Sequence, residues 1–374
     1  MIKRFIHRCS CGQGIRELVE VLLQIVGVRG HSGLRELFPS GFYAVDRFDA
    51  AILRRSMSFL FRDTRGPRLC PRGAVIAIGA FDGLHRGHQA LIGRALARAR
   101  ELDCEAVLLG FEPLPREFFG RGGPLLRLST VREKVKLTHA LGIDRLGLLR
   151  FNQALANTAA EEFVQRVLVE RLGAREVWIG PDFRFGHARR GDLAMLRDMG
   201  AELGFSAHPI EPVLVDGERV SSTRVRAALL AGDHALARRL LGRDFAISGR
   251  VIHGQKLGRT LGYPTANIPL GERLPPVHGI YAVRVTGAGM RHWPSVASLG
   301  TRPTVNGREL LLEAHLFDFD GDLYGRRLRV DFVAKIRDEE RFANLDDLTA
   351  RMHLDAIEAR RILSESMTNQ REPA

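Results

Sequence analysis

Gly73-Ala74-Val75-Ile76-Ala77-Ile78-Gly79-Ala80-Phe81-Asp82-Gly83-Leu84-His85-Arg86-Gly87-His88 is the stretch that decides the fold. An apolar run of strand length stops at a glycine-containing turn, a helical pattern follows through Ala99, and a second apolar strand runs from Ala106 to Gly110. Strand, helix, strand implies parallel pairing, because the helix carries the chain back to the end of the sheet where the first strand began. The alternation continues with a helix at Val131 to Leu141, a strand at Arg145 to Leu149, a helix at Ala159 to Leu172, a strand at Glu176 to Ile179 and a helix at Gly191 to Leu203. The expected architecture is a doubly wound α/β domain.

The same stretch is an anion site by construction. Glycines let a phosphate approach the backbone, and the helix that follows contributes unpaired N–H groups with a partial positive charge. His85 and His88, three residues apart, project together at that helix start, where imidazoles can hydrogen-bond phosphate oxygens. Further along, Ser222 or Thr223 can cap the helix beginning there, and Arg226 in its first turn can reach the same phosphates from the opposite side. Phe111 to Arg116, just past a strand end and carrying Pro113 and Pro115, makes a rim suited to an aromatic ring system. There is no Walker A sequence and no Gly-x-Gly-x-x-Gly fingerprint.

Beyond Arg226 a helical stretch, Ala227 to Leu241, is broken by Gly232, and the texture then changes. Ile247 to Ile252, Gly279 to Thr286, Ser295 to Leu299, Glu309 to Phe319 and Arg327 to Phe332 are strands separated by Gly, Pro and Asp turns, with no long helix before Asp346. An antiparallel β-barrel or sandwich closed by a C-terminal helix follows. Within it, Gly254 to Asn267 is a glycine-rich loop ending in oxygen-bearing side chains. Thr265 and Asn267 share a face if the segment is extended, a suitable place for Mg²⁺ bound to nucleotide phosphates. On the strand Glu313-Ala314-His315-Leu316-Phe317-Asp318-Phe319, a period of two puts Glu313, His315, Phe317 and Phe319 on one face. Glu313 is the candidate base for phosphoryl transfer to an alcohol, which needs a carboxylate to take the hydroxyl proton.

Length and composition bound the alternatives. The 374 residues suit two or three domains, and 45% hydrophobic with 26% charged residues is ordinary globular usage. The net charge of +13 raises the expectation of anionic partners, yet the basic residues are dispersed and nearly all Arg, with Lys only at 3, 134, 136, 256 and 335. Small phosphate-bearing substrates are therefore expected ahead of nucleic acid. The four cysteines, Cys9, Cys11, Cys70 and Cys104, lack zinc spacing and read as free thiols in a reducing cytoplasm. The apolar run Leu18 to Val28 is too short and too interrupted to span a membrane. Residues 1–56 hold one short amphipathic pattern, Ile15 to Val26, and no chemistry; Met57 opens the compact part, so a misassigned translation start is the expectation for this extension.

Gly79 to His88 resembles the HxGH signature of nucleotidylyltransferases and, in its extended form, bacterial FAD synthetases. Gly180-Pro181-Asp182-Phe183-Arg184-Phe185-Gly186 and Ser221-Ser222-Thr223-Arg224-Val225-Arg226 are similar to further elements of that family, with Asp182 at a position that takes Asn or Asp. The C-terminal part resembles the riboflavin kinase module through Gly258-Arg259-Thr260-Leu261-Gly262-Tyr263-Pro264-Thr265-Ala266-Asn267, Gly279-Ile280-Tyr281, Gly300 to Thr304, the Glu313 strand, and Ile336 to Phe342. The resemblance implies a Rossmann-like nucleotidylyltransferase domain at 57–242 and a small antiparallel β-barrel with a C-terminal helix at 243–374. It implies riboflavin kinase and FMN adenylyltransferase activities, with riboflavin, FMN, FAD and ATP as partners and Mg²⁺ as metal. It assigns ATP phosphates to Gly79, Phe81, Asp82, Gly83, Gly87, Ser222, Thr223 and Arg226, with His85 and His88 catalytic. Flavin in that domain falls to Pro113, Pro115, Asp182 and Phe183. In the barrel it assigns ATP and flavin to Gly258, Arg259, Gly262, Tyr263, Pro264, Arg337 and Phe342, metal to Thr265 and Asn267, and the base to Glu313. The rival reading is a basic nucleic-acid-binding or flavin-sensing protein on the same scaffold without turnover.

Overall fold

The computed structural model describes residues 59–374 except 121–122, 255–257, 259–260, 272, 305–306 and 369–374. The N-terminal extension 1–56, its expected helix at 15–26, Cys9, Cys11, Met57 and the expected ligand residue Arg259 lie outside the described residues.

Strand β1, Ala74–Ile78, is buried at every position, which requires cover on both faces of its sheet. Helix α1 (Arg86–Glu101) lies on one side through Leu91, Ile92, Ala95 and Ala99. Strands β2 (Glu105–Glu112), β3 (Arg145–Arg150), β4 (Ala174–Ile179) and β5 (Ser206–Pro209) complete the parallel set, and helix α2 (Val131–Ala140) connects β2 to β3. The parallel order is β3-β2-β1-β4-β5, doubly wound about β1. Ile76, Ile78, Val107, Leu109, Val177 and Ile179 form the opposite face, packed on Phe163, Val167 and Leu168. The helix expected over 159–172 is α-helical only at Ala160–Phe163 and widens to π geometry over Val164–Arg171. Cys70 and Cys104 are buried free thiols.

Gly232, at φ +77, separates α3 (Ser222–Leu230) from α4 (His234–Leu241), and Asp233 caps the second by accepting from Leu236 N. A six-stranded antiparallel sheet follows, in the order β7-β10-β9-β8-β11-β6. Its members are β6 (Phe245–Arg250), β7 (Ala266–Pro269), β8 (Gly279–Gly287), β9 (Met290–Thr304), β10 (Gly307–Leu316) and β11 (Arg327–Arg337). The sheet curls into a half-barrel whose two ends meet at the bridge between Ile252 and Asn267. Helix α5 (Leu345–Thr368) lies against β8, Ala359 and Leu363 packing on Ala282 and Phe317. Strand β9 is much longer than its apolar signal at Ser295 to Leu299, since it pairs with β8 at one end and with β10 out to Thr304↔Gly307 at the other. Among the described residues no helix is long and apolar enough to cross a membrane.

Candidate active sites

The turn between β1 and α1 is held by side chains from distant elements. Lys134 Nζ donates to Ala80 O at 3.2 Å, Ser222 Oγ to Asp82 O at 2.9 Å, Arg243 Nη2 to Gly83 O at 2.6 Å, and Gln89 Nε2 to Leu84 O at 2.8 Å. With these carbonyls occupied, the loop is fixed before any ligand arrives. Phe81 (φ 51) and Leu84 (φ 41) sit in left-handed conformations that cost non-glycine residues energy, so the surrounding bonds hold the loop in a strained shape. Gly83, at φ +80, meets the same requirement without strain.

His85 is the N-cap of α1, its Nδ1 accepting from His88 N at 3.3 Å. A neutral His85 ring therefore carries its proton on Nε2, as a donor. The two rings stack with centroids 3.7 Å apart. Burial pushes His85 down to about 4 despite Asp82, and burial, with the proximity of His85 and Lys134 behind it, holds His88 well below the usual imidazole value. Both are neutral near pH 7 and act as hydrogen-bonding groups rather than cations. A cavity of about 270 Å³ opens here, lined by Gly79, His85, Gly87, His88, Asp182 and Phe183, with Arg219 and Ser221 beside them.

The structure redistributes several expected roles. Arg226 turns to Asp82, Nη2 to Oδ2 at 2.5 Å, while its Nε donates to Leu126 O, so it is committed inside the protein rather than aimed across the cavity. Asp82, 2% exposed, also accepts from Leu128 N and Ser129 N, and Phe81 is fully buried; both shape the loop. Ser221 is the cap of α3, accepting from Arg224 N at 3.2 Å, in place of Ser222 or Thr223; Thr223 is exposed. A cation lining the cavity is Arg219, which is paired with Asp182 and has no local sequence signal to mark it. The expected flavin rim divides: Asp182 and Phe183 line the histidine cavity, whereas Pro113 lines a separate space of about 710 Å³ and Pro115 starts the short helix Pro115–Phe118.

A second cavity, about 290 Å³, lies between the half-barrel and α5. Of the residues expected there it is lined by Gly258, Tyr263, Thr265, Glu313, Arg337 and Phe342. Asn267 and Glu313 are direct cross-strand partners on β7 and β10, and Glu313 faces Ser298 of β9 on its other side. Asn267 is buried, its Nδ2 donates to Thr265 O, and among the described residues its Oδ1 has no hydrogen-bond partner. An orphaned amide oxygen beside the Thr265 hydroxyl suits a hard cation, so these residues fit Mg²⁺. Among the described residues no three His, Cys, Asp or Glu side chains gather as a metal cage, which leaves phosphate oxygens to complete such a site.

Gly258 fits a tight loop: Tyr263 N donates to its carbonyl at 2.7 Å, and a Cβ there would lie 2.4 Å from Tyr263 O. Tyr263 Oη meets His353 Nδ1 of α5 at 3.0 Å. Gly262, at φ +82, and Pro264, whose carbonyl accepts from His315 Nδ1 at 2.9 Å, shape the loop without lining the cavity. His315 lines the cavity beside Glu313, and Phe317 follows it onto the helix-facing side. Phe319 does not: β10 ends at Leu316, Asp318 adopts φ 53, and Phe319 is turned onto Trp293 in the barrel core. Arg337 is bound by Asp355 of α5 through two hydrogen bonds, 2.8 and 2.6 Å, with side chains 10% and 6% exposed. Asp355 had no sequence signal, because its partner lies on another element.

Two family models match the chain, FAD synthetase over residues 68–224 and riboflavin kinase over 241–363. The chain is 48% identical over 296 residues to the bifunctional riboflavin kinase/FMN adenylyltransferase of Pseudomonas fluorescens, covering 79% of this chain and 94% of that one. It is 44% identical over 288 residues to the protein of the same name from Escherichia coli strain K12, covering 77% and 92%. A solved chain from Streptococcus pneumoniae, described as a macrolide-efflux protein, aligns with TM-score 0.68 at 29% identity over 81% of this chain and 98% of that one. The histidine cavity falls within one matched segment and the Glu313 cavity within the other, and with both present in their order this chain belongs to the bifunctional riboflavin kinase/FMN adenylyltransferase family.

Proposed function

We propose that the two reactions of this family run at the two cavities, each on the residues gathered there. The chain makes FMN from riboflavin and ATP, and FAD from FMN and a second ATP. At the half-barrel, Glu313 accepts the proton of the flavin hydroxyl as its oxygen bonds to the γ-phosphorus and the bond to the bridging oxygen breaks, releasing ADP. Thr265 and Asn267 hold Mg²⁺, which when bound neutralises phosphate charge. The observation carrying this assignment is the orphaned Asn267 Oδ1 directly across the strand pair from Glu313.

At the α/β domain, an FMN phosphate oxygen, already anionic, attacks the α-phosphorus of ATP and pyrophosphate leaves, so no strong base is required. His85 and His88, neutral and stacked at the start of α1, donate to phosphate oxygens. Gly79 and Gly87 border the phosphates, Ser222 and Asp82 hold the loop, and Arg219 supplies the positive side chain. Purified protein with riboflavin, ATP and Mg²⁺, its flavins separated over time, tests the scheme. Glu313→Gln abolishes FMN formation and leaves FAD formation from supplied FMN, while His88→Ala does the reverse. Wild-type kinase turnover in Glu313→Gln would remove Glu313 from the role of base.

A further inference from the structure

Away from both cavities, the structure gathers positive charge where α2 meets the half-barrel. Glu133 Oε1 accepts the outward N–H of Ser248 on edge strand β6 at 3.1 Å, which seats the first turn of α2 against that edge. Arg250, two residues beyond Ser248 on the same face, lies directly opposite Arg327 of β11. Like charges on opposed positions of a strand pair oppose pairing. Arg132 and Lys136 add charge from the helix, where residues four apart share a face.

These groups act on one another. Burial, then Arg327 and Arg250, lower the Arg132 guanidinium; burial, then Arg132, Arg327 and Arg329, lower Lys136. Glu133, a carboxylate beside them, acts the other way on Lys136 and Arg327 and is also engaged with Arg273, Thr130 and Ser248, while Arg250 Nη1 donates to the neutral Gly325 O at 2.9 Å. Arg329 is bound to Asp331. The fold therefore keeps Arg132, Lys136, Arg250 and Arg327 close together although they repel.

From this convergence of four cations on one helical turn and one strand pair, we infer that the junction is a binding site for a small polyphosphate anion, distinct from both ATP sites. The compactness of the cluster favours a chain of two or three phosphates over nucleic acid, which is held by a track of about 6–10 phosphate contacts. Because one half of the cluster stands on α2 and the other on the half-barrel, an anion there ties the two together.

Inorganic tripolyphosphate titrated calorimetrically into the full chain is the probe. The wild type binds one more equivalent than Arg250→Gln/Arg327→Gln, or binds that equivalent at least tenfold more tightly, while FMN adenylylation turnover is the same in both. Arg132→Gln/Lys136→Gln, altered on the helix instead, shows the same loss, and either variant melts at or above the wild type without anion, since repulsion has been removed. An isotherm unchanged in both variants overturns the proposal. So does a short single-stranded RNA that binds at Arg250 and Arg327 and is not displaced by tripolyphosphate, which would make the surface a nucleic-acid contact.

Discussion

His234 makes the folded protein sensitive to mild acid in a way that can be isolated. It opens α4 at 5% exposure, with its ring centroid 5.2 Å from that of Tyr281 and 6.5 Å from that of Phe332, and burial pushes its imidazole down to about 4. An ordinary imidazole titrates near 6.5. The unfolded chain therefore binds the proton more tightly, and stability falls as pH drops from about 6.5 toward about 4. The loss attributable to this residue is about 2 kcal/mol by pH 5 and approaches about 3 kcal/mol below pH 4. His234→Phe and His234→Leu abolish that component whatever they do to packing, because the comparison is of pH slopes within each protein. The assay is urea unfolding at several pH values in a Trp178→Phe background, where Trp293 of the half-barrel, its Nε1 bonded to Phe317 O at 2.8 Å, is the sole tryptophan. The contributions of other imidazoles that burial pushes down, His85 and His88 among them, are common to all the proteins and cancel. A variant slope equal to the wild-type slope would refute the reasoning.

Two further outcomes follow from side chains whose partners are now known. Lys134→Met removes the buried amine that holds Ala80 O; at about 1.5–3 kcal/mol for a hydrogen bond from a charged donor, FAD formation drops roughly ten- to hundredfold while FMN formation is unchanged, which parallel rate measurements check. Arg337→Met removes two hydrogen bonds from the buried Asp355 carboxylate, leaving it Arg351 at 3.7 Å, and costs about 1.5–3 kcal/mol of stability, and Arg337→Met/Asp355→Leu recovers most of it in denaturant unfolding. A raised KM with unchanged stability in Arg337→Met would place that guanidinium on substrate instead.

What the sequence by itself determined is what depends on neighbours along the chain. The bounds of β1, the glycine turn into α1, the break at Gly232, the antiparallel texture after Gly242 and the placing of Glu313 beside His315 all follow from period, strand length and turn chemistry over a few residues. Tertiary structure decided which partners the long charged side chains take. Arg226 lies 144 residues from Asp82 and Arg337 pairs with a carboxylate on another element, so the sequence could name each as a candidate ligand and could not foresee the carboxylate that holds it. The same holds for Lys134, Gln89 and Arg243, which stabilise the loop between β1 and α1 from outside it, and for Phe319, which leaves its expected face only because the backbone turns at Asp318. Periodicity fixes a side chain's face within an element; a guanidinium or ammonium on a flexible stem binds whatever acceptor the packed fold brings within reach.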